Sequence, residues 1–151
     1  MLLDDDPDAG RKYADDVKNL IDYATPGRVA AFIAEPVMGA GGVIVPPVDY
    51  FPLVRAICDK YEVLFIADEV ITGFGRTGDK WWGIEQWGVR PDMITMAKGM
   101  GNGVPLGGVT CTPAIAESMR NNVHFNTYGG NPVSMAAGLA VLETIERHNY
   151  V

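Results

Sequence analysis

Two short apolar runs, each closed by a charged residue, constrain this chain more than any other feature. The first reads Val-Leu-Phe-Ile-Ala-Asp-Glu-Val over residues 63–70, with Asp68 at its end. The second reads Asp-Met-Ile-Thr-Met-Ala-Lys-Gly over residues 92–99, with Lys98 at its end. Runs of this length and β-branched content predict buried strands of a mainly parallel sheet. A charge closing such a run is costly unless something binds it. In parallel α/β sheets, ligands sit outside the carboxyl ends of the strands. The pair therefore predicts both a sheet and a place on that sheet where chemistry happens.

The rest of the chain supplies the alternation that a parallel sheet needs. Tyr13, Val17, Leu20, Ile21 and Tyr23 recur at helical spacing over residues 11–24, and Pro26-Gly27 stops them. Val29 to Ala34 reads as a strand, residues 36–49 as a Gly/Pro loop, and Tyr50 to Tyr61 as a helix with Phe51, Val54 and Ile57 on one side. Strands follow at 63–67 and 93–97, separated by a long connection over 71–90 rich in glycine and aromatics. A further strand is expected near Leu106 to Cys111. Thr112-Pro113 then opens a helix, since proline suits the first helical position, and a last helix runs from about Pro132 to His148. The fold class is α/β, a mainly parallel sheet with flanking helices. With 151 residues, 48% of them hydrophobic and 21% charged, the chain has the size and make-up of one globular domain.

Charge narrows the partners. A net charge of −7 argues against binding nucleic acid or an anionic membrane through bulk electrostatics. The early acidic run (Asp4, Asp5, Asp6, Asp8, Asp15, Asp16) reads as a solvated surface. Two cysteines, Cys58 and Cys111, make no disulfide framework and point to a reducing compartment. No run of eighteen apolar residues predicts a membrane span, and no leader opens the chain. The expected location is cytoplasmic, or mitochondrial if this chain is a piece of a longer one. No metal site is expected.

The chemistry of the pair is more specific. Alone, Lys98 reads as a strand-end lysine reaching solvent, and Asp68 as a turn cap. Together they match one ligand, which needs an amine for a Schiff base and a carboxylate for a pyridinium nitrogen: pyridoxal phosphate. A nucleophilic lysine needs its pKa lowered by burial or a cationic neighbour. The glycines of Gly99-Met100-Gly101-Asn102-Gly103 let backbone pass close to such a ligand. Further along, the stretch Phe125 to Pro132 offers a hydroxyl and a glycine pair just before a helix. That is either an ordinary helix start or a phosphate cradle.

Three stretches resemble the class III pyridoxal-phosphate aminotransferases of fold type I. They are Ala34-Glu35-Pro36-Val37-Met38-Gly39-Ala40-Gly41-Gly42-Val43, Ala67-Asp68-Glu69-Val70-Ile71-Thr72-Gly73-Phe74-Gly75-Arg76-Thr77-Gly78, and Met96-Ala97-Lys98-Gly99. The Asn126 to Pro132 stretch also fits, so the likeness covers nearly everything from Val29 onward. The resemblance implies roles. Lys98 matches the lysine that forms the Schiff base and moves a proton during transfer. Asp68 matches the partner of the pyridinium nitrogen, and Val70 the residue packed on one ring face. Thr127 matches a threonine reaching the cofactor phosphate of a neighbouring subunit, which implies a homodimer with a shared site. Glu35 matches the glutamate of a Glu-Pro pair at the site wall.

Two departures refine the likeness. Ala40 stands where ornithine-, acetylornithine- and 4-aminobutyrate-type members carry an acidic gate, and Ile71 where many relatives carry a ring-contacting glutamine. Both are similar to the ω-amino acid:pyruvate and alanine:glyoxylate branches, which implies an amino donor paired with pyruvate or glyoxylate. Trp81, Trp82 and Trp87 read as packing rather than substrate pocket. The resemblance places residues 1–151 in the central part of a large cofactor-binding domain. The family's glycine-rich phosphate loop and its small domain have no counterpart in this stretch. The expectation is a partial large domain with exposed edges and apolar faces, poor at transamination by itself. Two alternatives stay open here: a fold-type-I enzyme of another reaction type, such as a phospholyase, aminomutase or decarboxylase, or an inactive fragment that only associates with a partner.

Overall fold

A computed structural model describes residues 6–151, so Asp4 and Asp5 of the acidic run lie outside the described residues. Helix α1 spans Ala9–Asn19 and runs on into a π-helical turn, Leu20–Ala24. Both the amide and the hydroxyl of Thr25 donate to the Leu20 carbonyl, each at 3.0 Å, which closes the helix before Pro26-Gly27. Strand β1 is Ala31–Ala34, helix α2 Tyr50–Tyr61 and strand β2 Leu64–Asp68. Strand β3 is Met93–Met96 and strand β4 Gly108–Cys111. Short helix α3, Pro113–Ser118, carries its proline in the first turn, as expected. Long helix α4, Pro132–His148, starts at Asn131, whose side chain accepts the Ser134 N–H at 2.9 Å.

The four strands lie in the order β1-β2-β3-β4. The β1–β2 and β2–β3 pairs are parallel, and β3–β4 is antiparallel. The sheet is thus mainly parallel with one antiparallel edge. Ile33 pairs with Ile66, Ile66 with Met93, and Asp68 with Thr95.

The two faces of the sheet differ sharply. Phe65 and Ala67 are fully buried, packed with Phe32, Ala34 and Ile94 against Ala14 and Ile21 of the first helix and Phe51, Val54 and Cys58 of α2. Phe65 meets Phe51 edge-on at 6.0 Å and Phe32 at 5.3 Å. Burial in this layer pushes the Cys58 thiol up to about 11. On the opposite face Ile33 is 57% and Val109 59% exposed. The sheet is therefore covered on one face, because among the described residues the helices α1 and α2 lie on a single side. Along the first helix Ile21 is buried, while Leu20 and Tyr23 face solvent.

Two further contacts set the strand ends. Asp92 Oδ2 accepts from the Phe65 N–H and from Arg55 Nη1, both at 2.7 Å, and so staples β2, α2 and the start of β3 together. Burial opposes the charge on Asp92, yet the Phe65 amide and Arg55 outweigh it and hold the carboxyl below its ordinary range. The long connection packs as expected of its tryptophans. Trp87 lies edge-on to Phe51 at 5.2 Å and donates to the Pro47 carbonyl at 3.2 Å, while Trp82 lies edge-on to Phe74 at 5.2 Å.

Candidate functional site

Because β2 and β3 are parallel neighbours, Asp68 and Lys98 finish at the same edge of the sheet. Asp68 is the last paired residue of β2, opposite Thr95. Alternation along the strand puts its side chain with those of Leu64 and Ile66, on the open face away from the helices. The carboxylate is half-buried, and its Oδ1 accepts the Val70 N–H at 3.1 Å. Its Oδ2 has no partner among the described residues. Val70 is half-buried beside it.

Lys98 follows Thr95 by three residues and opens a tight turn, Lys98–Met100. Its carbonyl accepts the amides of Gly101 and Asn102, each at 3.1 Å. The backbone of Lys98 itself has φ 40°, in the left-handed region. Leu106 and α4 back this turn. A Cβ on Gly138 of α4 would lie 2.5 Å from Leu106 Cδ2 and 3.8 Å from the Met100 carbonyl oxygen, so glycine there permits the close approach. The Lys98 amine has no hydrogen-bond or ion-pair partner among the described residues, and the residue is exposed. The burial expected around such a lysine is not supplied by the described residues.

A cavity of about 880 Å³ lies along the free edge of β1. Glu35 and Asp68 both line it, together with Phe32, Met38, Ile44 and Tyr50. Glu35 Oε2 accepts the Gly39 N–H at 3.0 Å. That bond folds the following loop back as a small hairpin, closed by paired Met38–Ile44 bonds of 3.0 and 2.9 Å. A Cβ on Gly39 would lie 2.6 Å from Ile71 Cδ1, so this hairpin and the segment after Asp68 touch. Thr127 stands apart. It lies in an exposed loop in which the Asn126 side chain accepts the amides of Tyr128 and Gly129 at 3.2 and 3.1 Å. Of the five residues singled out in the sequence, Asp68, Val70 and Lys98 gather at one sheet edge, Glu35 joins Asp68 through the cavity, and Thr127 joins neither.

The donor and acceptor set fits pyridoxal phosphate. A half-buried carboxylate with one oxygen free suits a protonated ring nitrogen, and a primary amine without a competing partner suits an aldehyde. Sequence reasoning missed one residue, Glu69, whose carboxylate is fully buried on the helix side of the sheet. Strand alternation was the signal available, since residue 69 shares the parity of Phe65 and Ala67.

Comparisons with known proteins place the chain in a family. A family model described as aminotransferase class-III matches residues 3–151. The mitochondrial alanine–glyoxylate aminotransferase 2 homolog 2 of Arabidopsis thaliana is 50% identical over 138 residues, 91% of this chain and 29% of that protein. An omega-aminotransferase of Caulobacter vibrioides is 44% identical over 146 residues, 91% of this chain and 33% of that protein. Among solved structures, an (S)-enantioselective omega-transaminase from Thermomicrobium roseum superposes with a TM-score of 0.88 at 44% identity, over 94% of this chain and 33% of that one. A transaminase from the marine bacterium Virgibacillus gives 0.87 at 45% identity, over 93% and 33%. The α/β fold is that of these fold-type-I transaminases. The chain spans about a third of the length of the relatives it matches.

Proposed function

This chain belongs to the class III aminotransferase family, and from that premise we propose that it is the central part of the large domain of a pyridoxal-phosphate-dependent transaminase. The reaction moves an amino group from an amino acid or amine donor to a keto acid such as pyruvate or glyoxylate. One observation carries the reading: Asp68 ends β2 and Lys98 opens the turn just after the neighbouring parallel β3, at the same end of the sheet, the first with a spare carboxylate oxygen and the second with an amine that has no partner among the described residues.

When bound, pyridoxal phosphate supplies an aldehyde that captures amines and a ring that takes up the electrons released at the substrate α-carbon. The chain's residues do the rest. Lys98 Nζ anchors the aldehyde and carries the proton at the substrate α-carbon. The Asp68 carboxylate keeps the ring nitrogen protonated, and the Val70–Asp68 bond orients that carboxylate. With the cofactor bound, Val70 would pack on its ring, Glu35 would form a wall of the site, and Thr127 would hold the phosphate of a second copy in a homodimer. The exposure of Thr127 supports that last assignment, since an exposed residue is available to a second subunit. Ala40 and Ile71, together with the alanine–glyoxylate and omega-aminotransferase relatives, favour pyruvate or glyoxylate as acceptor.

The test is spectroscopic first and chemical second. Adding pyridoxal phosphate to the protein that carries this chain produces a Lys98-dependent absorbance band, and supplying an amino donor with pyruvate then yields alanine. Wild type and Lys98→Ala giving the same spectrum would remove the catalytic assignment.

A further inference from the structure

Glu69 is a fully buried carboxylate that the transamination reading leaves without a task. Its Oε1 accepts the Ile84 N–H at 2.8 Å, and its Oε2 accepts the Gly83 N–H at 2.9 Å and the Thr72 hydroxyl. Every partner is a donor, so the group is held as an acceptor. Gly83 is adapted to this arrangement: a Cβ there would lie 2.6 Å from Thr72 Cβ and 3.2 Å from Glu69 Oε2. The backbone of Glu69 is tied as well. Its N–H donates to the Thr95 carbonyl at 2.9 Å, joining the ends of β2 and β3, and its carbonyl accepts the Gly73 N–H at 3.0 Å.

A buried carboxylate is a poor way to gain stability, because an apolar residue of similar size packs without the desolvation cost. What it provides is a fixed geometry. Here the fixed segment is the one that carries Asp68 and Val70. Asp68 is aimed by a single local bond from Val70 N, and that bond holds only while residues 69–72 keep their turn. We propose that Glu69 is a positioning residue: by clamping the turn after β2 to Thr72, Gly83 and Ile84, it holds the Asp68 carboxylate in line for the cofactor's ring nitrogen. The inference rests on the transaminase reading of Asp68 and Lys98.

The test uses the full chain and pyridoxal phosphate as probe. Glu69→Gln keeps the shape but turns one of the two acceptor oxygens into an NH2 group, which must then face either the Ile84 amide or the Gly83 amide and Thr72 hydroxyl. It is expected to weaken cofactor binding about tenfold, the scale of a lost buried hydrogen bond to a charged group. It also shifts the pH titration of the bound chromophore and speeds hydrogen exchange at the Val70 amide in the cofactor-free protein. In an Asp68→Asn background the same change alters binding less than about twofold, because its effect passes through Asp68. Thr72→Val removes one donor and gives a smaller shift of the same sign, which Thr72→Ser restores; this pair carries the test if Glu69→Gln does not fold. A Lys98-dependent chromophore combined with an unchanged affinity and titration in Glu69→Gln and Thr72→Val overturns the inference alone. A full effect persisting in Asp68→Asn also overturns it. If wild type takes up no pyridoxal phosphate, or Lys98→Ala reproduces its spectrum, the functional reading falls first and takes this inference with it.

Discussion

At Lys98 the backbone has φ 40°, a conformation that L side chains reach at a cost of about 1 kcal/mol or more. A side chain held there against its preference is worth keeping only if the side chain matters. This separates two substitutions that both remove the amine. Lys98→Gly relieves the strain, whereas Lys98→Ala retains it, so Lys98→Gly is expected to be the more stable by about 1 kcal/mol. Thermal melts of the two variants check this, and equal midpoints would refute a strained turn. Both variants lose the cofactor band. Asp92 makes a second prediction at this scale. Its folded-state pKa is depressed below 3.8, with the opposing effect of burial overcome by the Phe65 amide and Arg55. A depressed carboxyl stabilises the fold above its unfolded pKa, and that stability is lost as pH falls through the folded value. Asp92→Asn should therefore cost about 2 kcal/mol at pH 7 and flatten the stability profile below about pH 4. Urea titrations at pH 7 and pH 3 measure both; an equal loss at both values would show that charge is not involved. Asp68 and Lys98 were legible because a charge ending an apolar run is conspicuous in any sequence. Glu69, one residue further on, was not. Its partners at 83 and 84 lie beyond a long connection whose path no local pattern reveals.

Elements were legible where their hydrogen bonds are local. The helices at Tyr50–Tyr61 and Pro132–His148 match their expected bounds, and Pro113 opens α3 as its chemistry requires. Residues 36–49 read as a loop because the Met38–Ile44 pairing depends on a turn with Gly42 at φ 130° and Val43 at φ 54°, and Val43 gives no hint of such a conformation. Strand burial depends on more than the strand itself: a continuous apolar run states that both faces want cover, not that the chain provides it. The turn after β3 yields a prediction of its own. Gly101 has an ordinary φ, yet a Cβ on it would lie 2.2 Å from the Val104 carbonyl oxygen. That atom is backbone, so the loop itself must move. Gly101→Ala is expected to destabilise by about 2 kcal/mol and to displace the lysine turn, lowering cofactor affinity together with the melting temperature. An Ala variant with wild-type melting would mean that the turn is looser than this packing implies.

Over the whole molecule, the helix-side core and the exposed apolar surface belong to one argument. The α1–α2 layer buries Phe65 and Ala67 on one face of the sheet, while Ile33 and Val109 on the other face stay more than half exposed. Helix α4 repeats the pattern. It buries Ser134 and Gly138 against the Lys98 turn and leaves Val133 at 74% and Leu139 at 57% exposed. Among the described residues strand β1 pairs on one edge alone, and the 880 Å³ cavity is lined by residues of β1 and the loop after it. Contiguous apolar surface next to an unpaired strand edge favours association. The 151-residue polypeptide expressed by itself is therefore expected to self-associate and to bind a hydrophobic dye, with a light-scattering mass well above 16.3 kDa. Replacing Val133 and Leu139 together with glutamate should lower that mass, because α4 presents both side chains to solvent, and should leave the helical content unchanged. The same substitutions touch nothing in the α1–α2 core, so a loss of helicity would point to unfolding rather than to a blocked surface. A wild-type polypeptide running as a dye-negative monomer would show that these faces need no cover, and the case for a homodimer built around the Lys98 edge would lose its physical basis.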